Sequence, residues 1–433
     1  MSLFGTDGVR GVANADLTPE LAFRIGRAGA AILCAGAERE RPILIGRDTR
    51  LSGTMLEASV AAGIASTGRD ALALDVVPTP GVARVTTLLG AAAGVMISAS
   101  HNPIDDQEAA IEAAIAGTDA FSRPTHGDVG IVRRHPGLAV RYVDDLVANG
   151  ADLSALTIVV DAAFGAAYAM GPRALRDLGA TVEAINAEDD GARINVACGS
   201  TDLGALAARV RARARERPSE HVLGVAFDGD ADRALFVDET GAIVDGDRVM
   251  LVLARDKKRR GELANDTVVG TVMSNIGLER ALRDEGIALE RAAVGDRYVL
   301  ASMRARGHRF GGEQSGHVID LERNTTGDGP GTAIALFSVV ARSGSTLREL
   351  ASALRVAPQI LVNVRTPNKA VLGAAAVIAA IERAERELGT GGRILVRSSG
   401  TEPLIRVMIE GDDRARIDAL AHDVAESVRS AAQ

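Results

Sequence analysis

Asp228, Asp230 and Asp232 stand at alternate positions and are followed at once by Arg233. Carboxylates crowded in this way repel one another unless a cation sits among them. An all-oxygen donor set suits a hard divalent ion, Mg2+ or Ca2+. A calcium-binding EF-hand is the rival reading, because Glu239 is the twelfth residue counted from Asp228. The sixth, however, is Arg233 where that loop needs glycine, and residues 222–227 and 234–237 read as strands rather than helices. The expectation is a Mg2+ site.

Three further clusters carry polar chemistry. Residues 96–103 form an apolar run that ends in a turn fixed by Pro103, presenting the Ser100 hydroxyl beside His101. Adjacent side chains point apart, so this pair does not make an acyl-transfer dyad, and the Gly-x-Ser-x-Gly pattern is absent. A serine-capped turn is the plainer alternative. In residues 311–317, two glycines let backbone approach a ligand, while Glu313, Gln314, Ser315 and His317 offer partners for sugar hydroxyls or an amine. Residues 397–403 bring Arg397, Ser399, Gly400 and Thr401 together, with Arg406 beyond. Hydroxyls, a glycine amide and two guanidinium groups make a phosphate cradle, against the alternative of an ordinary turn. The four clusters together fit phosphoryl transfer on a phosphorylated small molecule.

These residues must be held by an alternation of strands and helices that runs the length of the chain. Strand-like runs at 42–46, 155–160, 222–227, 267–273 and 393–397 are separated by helical stretches such as 203–215 and 370–388. Thr18 before Pro19 reads as a helix start, and Thr346 with Glu349 as a capping box opening a helix toward Val356. The pattern argues α/β layers with mostly parallel strands. Turn-rich stretches divide it into units 1–136, 137–238, 239–356 and 357–433, each of the four carrying one cluster.

Composition limits the partners. The chain has 433 residues, 47% hydrophobic and 24% charged, enough to fill several cores. Its net charge of −8 supplies no global field for nucleic acid or an anionic membrane, so any anion must be caught locally. The uncharged stretch 85–100 is too short and too polar to span a bilayer, and the first eleven residues lack the apolar core of a secretory signal. A cytoplasmic protein is expected. Cys34 and Cys198 have no metal-site spacing and read as small apolar fillers. Lysine occurs only at 257, 258 and 369; arginine, which supplies nearly all the positive charge, is a poor proton shuttle.

With residues 3–11, 46–50, 97–103, 228–233, 272–275, 295–298, 312–317 and 397–403 in this order, the chain resembles the bacterial phosphoglucosamine mutases of the α-D-phosphohexomutase superfamily. Gln314 points to the glucosamine branch rather than to phosphomannomutase or phosphoglucomutase, which remain the alternatives within the superfamily. The resemblance implies four domains around a central cleft, three similar α/β domains and a smaller C-terminal α+β domain. It implies that Ser100 carries the phosphoryl group and joins Asp228, Asp230 and Asp232 on Mg2+, with His101 and Arg233 flanking. Arg10, Glu313, Ser315, Arg397, Ser399, Gly400, Thr401 and Arg406 would bind substrate. The implied reaction is that of an isomerase, an intramolecular phosphotransferase interconverting glucosamine 6-phosphate and glucosamine 1-phosphate for UDP-N-acetylglucosamine and peptidoglycan precursors. Its implied primer is glucosamine 1,6-bisphosphate or a related hexose bisphosphate, and a homodimer is a possible assembly.

Two departures stand out. After Pro103 such relatives run through Asp-Asn-Gly-Ile-Lys and a glycine-containing loop, whose lysine is the usual acid or base. Here Asp106 leads directly into the helix-like residues 107–115. Loss of a general acid or base costs about a hundred- to ten-thousand-fold in rate. A second reading therefore stands beside the mutase: a paralogue that binds sugar phosphate or a protein partner without useful turnover. Phe164 also replaces a common asparagine.

Overall fold

The computed structural model describes residues 4–5, 8–98, 111, 113–115, 121, 123–399 and 403–432. Strands Ala93–Ile97, Ile43–Arg47, Ala71–Val76 and Val132–Arg134 form, in that order, a wholly parallel sheet. Successive side chains of a strand face opposite ways. Ile43 and Ile45 accordingly join the core under helices Pro19–Leu33 and Gly53–Ala65, while Leu44 joins the one beneath Thr79–Leu89 and Pro136–Ala148. The strand is apolar throughout because both faces are covered. The turn-rich stretch about the boundary between the first two units includes the edge strand Val132–Arg134 and the proline that opens the next helix.

The second sheet runs Ile243–Val244, Ala234–Val237, His221–Phe227, Leu156–Asp161, Thr181–Ile185; its last three strands are parallel, and Ala234–Val237 is antiparallel to both of its neighbours. The third runs Ala288–Ala292, Thr267–Thr271, Phe310–Gly312, Val318–Asp320, with the final strand antiparallel. One continuous core extends from Leu44 in the first sheet to Leu354 after the third. The last sheet is antiparallel, with Leu404–Gly411 between Gln359–Arg365 and Gly392–Ser398, and has its own core under helices Ala375–Leu388 and Arg414–Ala432. Three α/β units and a smaller α+β unit are the expected architecture.

Local signals acted where expected. Thr18 accepts a hydrogen bond from the Leu21 amide at the helix start, and Thr346 and Glu349 close a reciprocal capping box. That helix is shorter than the sequence suggests, Leu347–Ala351. Both cysteines are buried and free.

A buried polar joint ties the last unit to the third. The Glu410 carboxylate, with no solvent exposure, accepts from Arg393 Nε at 2.7 Å, the Ile276 amide at 3.0 Å and Asn275 Nδ2 at 3.3 Å. Arg393 also donates to the carbonyls of Val272 and Ser274, both at 2.8 Å. Asn275 holds the connecting segment by exchanging bonds with Ala357 at 3.1 and 2.9 Å.

Candidate active site

Site residues gather where parallel strands end, the usual ligand side of open α/β sheets. Asp228 follows strand His221–Phe227, and the loop 228–233 turns the chain back into Ala234–Val237, with Phe227 opposite Ala234. A hairpin loop between strands excludes the helix-flanked calcium site. Glu239 is occupied elsewhere, accepting from the Leu347 and Arg348 amides and from His221. The three aspartates are buried, and one carboxylate oxygen from each lies within 4.8 Å of the others.

The electrostatics of this trio follow from crowding. Burial, then the neighbouring Asp232 and Asp230, pushes the Asp228 carboxyl well above the usual carboxylate range. Burial acts the same way on Asp232, but His317, 3.2 Å away, and Arg233 outweigh it and hold that group low. His317 is lifted to about 9 because Asp232 and Asp296 overcome the opposing effect of its burial. Arg233 donates to Asp228 from its Nε at 2.9 Å and from its amide at 3.2 Å. Three dry carboxylates converging at this spacing, with oxygen donors only, fit a small hard divalent cation.

Three neighbouring segments close around the loop. Thr79, at the start of its helix, donates its amide to the Asp230 carbonyl at 2.9 Å and its hydroxyl to Asp230 Oδ2 at 2.5 Å. Behind the loop, the Ala166 amide donates to the Gly229 carbonyl at 2.7 Å. Gly165 is required there: a Cβ on it would lie 2.4 Å from the Gly229 oxygen. On the third side, the Ala234 amide donates to the Gly316 carbonyl at 3.1 Å, and Arg233 pairs with His317 in an isolated bridge. The 311–317 cluster therefore abuts the aspartate loop. Within it, Glu313 Oε1 accepts from the Gly295 amide at 2.9 Å, and Ser315 is exposed at the tip.

Ser100 and His101 lie outside the described residues, as do Gly400 and Thr401. The strand leading to Ser100 ends at Ile97, and Ser98 donates to the buried Asp48 at 2.9 Å, whose pKa burial raises. Asp48 is held in turn by the Arg50 amide at 2.9 Å and its Nε at 3.0 Å. Gly8, Thr79, Ser98 and Thr325 line one open cavity, and Arg10 is exposed just beyond Gly8. Phe164 has a left-handed backbone, φ 53°, a conformation asparagine adopts more easily than phenylalanine. Its ring is buried under the Arg193 guanidinium at 4.0 Å, and its carbonyl accepts from Thr49 Oγ1 at 2.5 Å. The contact with the first unit is thus made by main chain, for which the side chain is not needed.

In the last unit, Arg397 and Arg406 are paired across two antiparallel strands. Burial and then the neighbouring Arg406 lower the Arg397 pKa. Like charges placed opposite one another are destabilising, and an anion between them removes the cost. Ser399 is buried, its carbonyl accepts from Lys369 Nζ at 2.7 Å and its amide bonds the Leu404 carbonyl at 2.9 Å, closing the base of the loop. Arg397 lies on the same strand as Arg393, four residues on, so the Glu410 joint sets its position relative to the third unit. Thr79, Asp48 and Lys369 were not singled out from sequence. Asp48 lies inside the 46–50 motif, whereas nothing local marks Thr79.

Four descriptions match consecutive parts of the chain: Phosphoglucomutase/phosphomannomutase alpha/beta/alpha domain I over residues 1–118, domain II over 140–241, domain III over 245–356, and the C-terminal domain over 361–427. Phosphoglucosamine mutase of Symbiobacterium thermophilum is 50% identical over 450 residues, spanning 100% of this chain and 99% of that one. A crystal structure of a phosphoglucomutase/phosphomannomutase family protein from Burkholderia thailandensis is similar with a TM-score of 0.82 at 24% identity, over 99% of this chain and 97% of that one. The N-acetylphosphoglucosamine mutase of Aspergillus fumigatus, solved in complex with GlcNAc-6P and magnesium, gives a TM-score of 0.69 at 18% identity, over 99% and 96%. Because all four of these parts follow in order and half the aligned residues are shared with a relative matched over 99% of its own length, the chain belongs to the phosphoglucomutase/phosphomannomutase family.

Proposed function

We propose that this chain is an intramolecular phosphotransferase that interconverts glucosamine 6-phosphate and glucosamine 1-phosphate. The observation that carries the reading is the buried aspartate trio, met by segments from all three α/β units at the ends of their strands. Half-identity over the whole length to a phosphoglucosamine mutase supports the amino-sugar substrate, and the non-catalytic alternative has no comparable support. In this reading Ser100, Asp228, Asp230 and Asp232 would hold Mg2+, which would supply positive charge to offset that of the phosphoryl group.

The chain's own groups do the rest. The Ser100 Oγ–P bond breaks as the accepting sugar hydroxyl gains the phosphoryl group and gives up its proton, which ends on the Ser100 oxygen as the serine hydroxyl is restored, and a bisphosphate results. After that sugar turns over, its other phosphate returns to Ser100. His101 and Arg233 flank this transfer. Glu313 and Ser315 hold the sugar, while Arg10 and the group Arg397, Ser399, Gly400, Thr401 and Arg406 grip the phosphate not in transfer. A hexose bisphosphate such as glucosamine 1,6-bisphosphate primes the serine. The paired guanidinium groups of Arg397 and Arg406 support the phosphate role.

The test is a coupled assay for glucosamine 1-phosphate with Mg2+ and bisphosphate, alongside mass spectrometry of Ser100. The expected result is turnover lost in Ser100→Ala and one phosphate on the serine. Turnover equal to that of the Ser100→Ala control would leave the binding paralogue instead. A cytoplasmic place for the reaction belongs to the same reading; among the described residues no helix is long and apolar enough to cross a membrane. Light scattering tests the homodimer that belongs to the same reading.

A further inference from the structure

Thr79 and Asp230 are 151 positions apart, yet they make two hydrogen bonds, one from main chain and one from the threonine hydroxyl. Both residues are buried. An ionised carboxylate only accepts, so the single hydroxyl proton of Thr79 is committed to Asp230 Oδ2, and 2.5 Å is the short length of a charge-assisted bond. The bond fixes rotation of the Asp230 carboxylate about its own side-chain axis. It also places the N-terminal end of the helix Thr79–Leu89, where amides point outward, against the anion.

The contact is locked from two more directions. Asn324 Nδ2 donates to the Pro80 carbonyl at 3.0 Å and to Asp328 at 2.9 Å. The Gly329 amide donates to the Ala231 carbonyl at 3.0 Å. Residues 79–80, 230–231 and 324–329 thus form a closed triangle of hydrogen bonds, one corner from each α/β unit. Asp230 is the corner that also belongs to the aspartate trio.

We infer that Thr79 is a positioning residue for the divalent cation: its hydroxyl aims Asp230 at the ion, so that cation affinity depends on the seating of the first unit on the metal loop. The inference rests on the reading of the trio as a cation site. By linkage the dependence is reciprocal, and a bound cation tightens the seating of the unit that carries Ser100. Partners that orient metal ligands typically contribute ten- to a hundred-fold in affinity.

Valine has the shape of threonine without the donor, so Thr79→Val removes the bond and little else. The probe is Mn2+ alone, titrated into metal-free full-length protein and followed by the electron paramagnetic resonance of the free ion, with thermal unfolding in EDTA measured in parallel. The expected result is a Kd raised ten- to a hundred-fold in Thr79→Val and within about threefold of wild type in Thr79→Ser. Thr79→Ala provides a second donor-less variant should valine disturb folding. A wild-type Kd in both donor-less variants would overturn the inference, and a lowered Tm in EDTA with unchanged Kd would show a structural role only. Failure of the wild type itself to bind Mn2+ would instead remove the cation reading, and this inference with it.

Discussion

Removing the Glu410 carboxylate tests how the proposed phosphate clamp is held. Glu410 has no solvent exposure, so water cannot replace it, and three donors converge on it: Arg393 Nε, the Ile276 amide and Asn275 Nδ2. In Glu410→Ala the guanidinium of Arg393, itself mostly buried, keeps its two carbonyl partners but loses its counter-charge. Breaking a buried ion pair from one side typically costs about 3–5 kcal/mol, because the remaining charge is left without compensation. The last unit is small, and about 1 kcal/mol moves Tm by roughly 4–8 °C in domains of such size. Calorimetry should therefore show its transition lower by on the order of 10–40 °C, with the transition of the three α/β units nearly unchanged. Replacing both partners, Glu410→Leu with Arg393→Met, should cost clearly less than the two single changes together, since an apolar pair leaves no orphan charge. Because Arg397 shares a strand with Arg393, KM for the sugar phosphate should rise in the single variants. A Glu410→Ala protein within about 1 kcal/mol of wild type, or strictly additive single and double variants, would refute the argument.

Asp247 gives a pH signature. Burial pushes its carboxyl up to about 7, above the ordinary unfolded value, so the folded state binds the proton more tightly. Its penalty on stability grows as pH rises from about 4 to 7 and is complete above. Asp247→Asn, whose carbonyl can still accept from the Asn275 amide, should be more stable than wild type at pH 8 by on the order of a few kcal/mol and equal to it near pH 4; the same difference in urea unfolding at both pH values would contradict this. In Asp230→Asn, turnover should vanish while Tm without Mg2+ stays the same or rises, because one of three repelling charges is gone; a large fall in that Tm would mean that the carboxylate is structural. Gly165→Ala should displace the aspartate loop, since its Cβ meets backbone that cannot swing aside, with a cost of about 1–3 kcal/mol and weaker Mn2+ binding; unchanged affinity would argue against the close fit.

Much of the site was legible before any coordinates because its signals are local. Alternate spacing placed three carboxylates on one short turn, flanking apolar runs marked its neighbours as strands, which the structure pairs as a hairpin, and Thr18 and Thr346 announced their helices through side chain to amide bonds only three residues long. The parallel sheets followed from the alternation of strand and helix periods. The helix expected over 370–388 shows the limit of such signals: the structure begins with the 3-10 turn Lys369–Gly373 and becomes regular only in Ala375–Leu388, after Gly373.

What the linear pattern could not contain were meetings between distant segments. Thr79 has the same neighbours and composition as any residue in a proline-bounded turn, and it acquires a role only because the first sheet delivers that helix start to Asp230. Glu410 reads as an ordinary charge in a strand until the last unit packs it against Asn275 and Arg393, and Arg397 faces Arg406 only through the register of two antiparallel strands. Sequence alone determined the kinds of chemistry and the elements that carry them, since those depend on side-chain type and a period of a few residues. Tertiary structure alone decided which carboxylate is aimed and which guanidinium is anchored, since hydrogen bonds act over about 3 Å and chain separation says nothing about that distance.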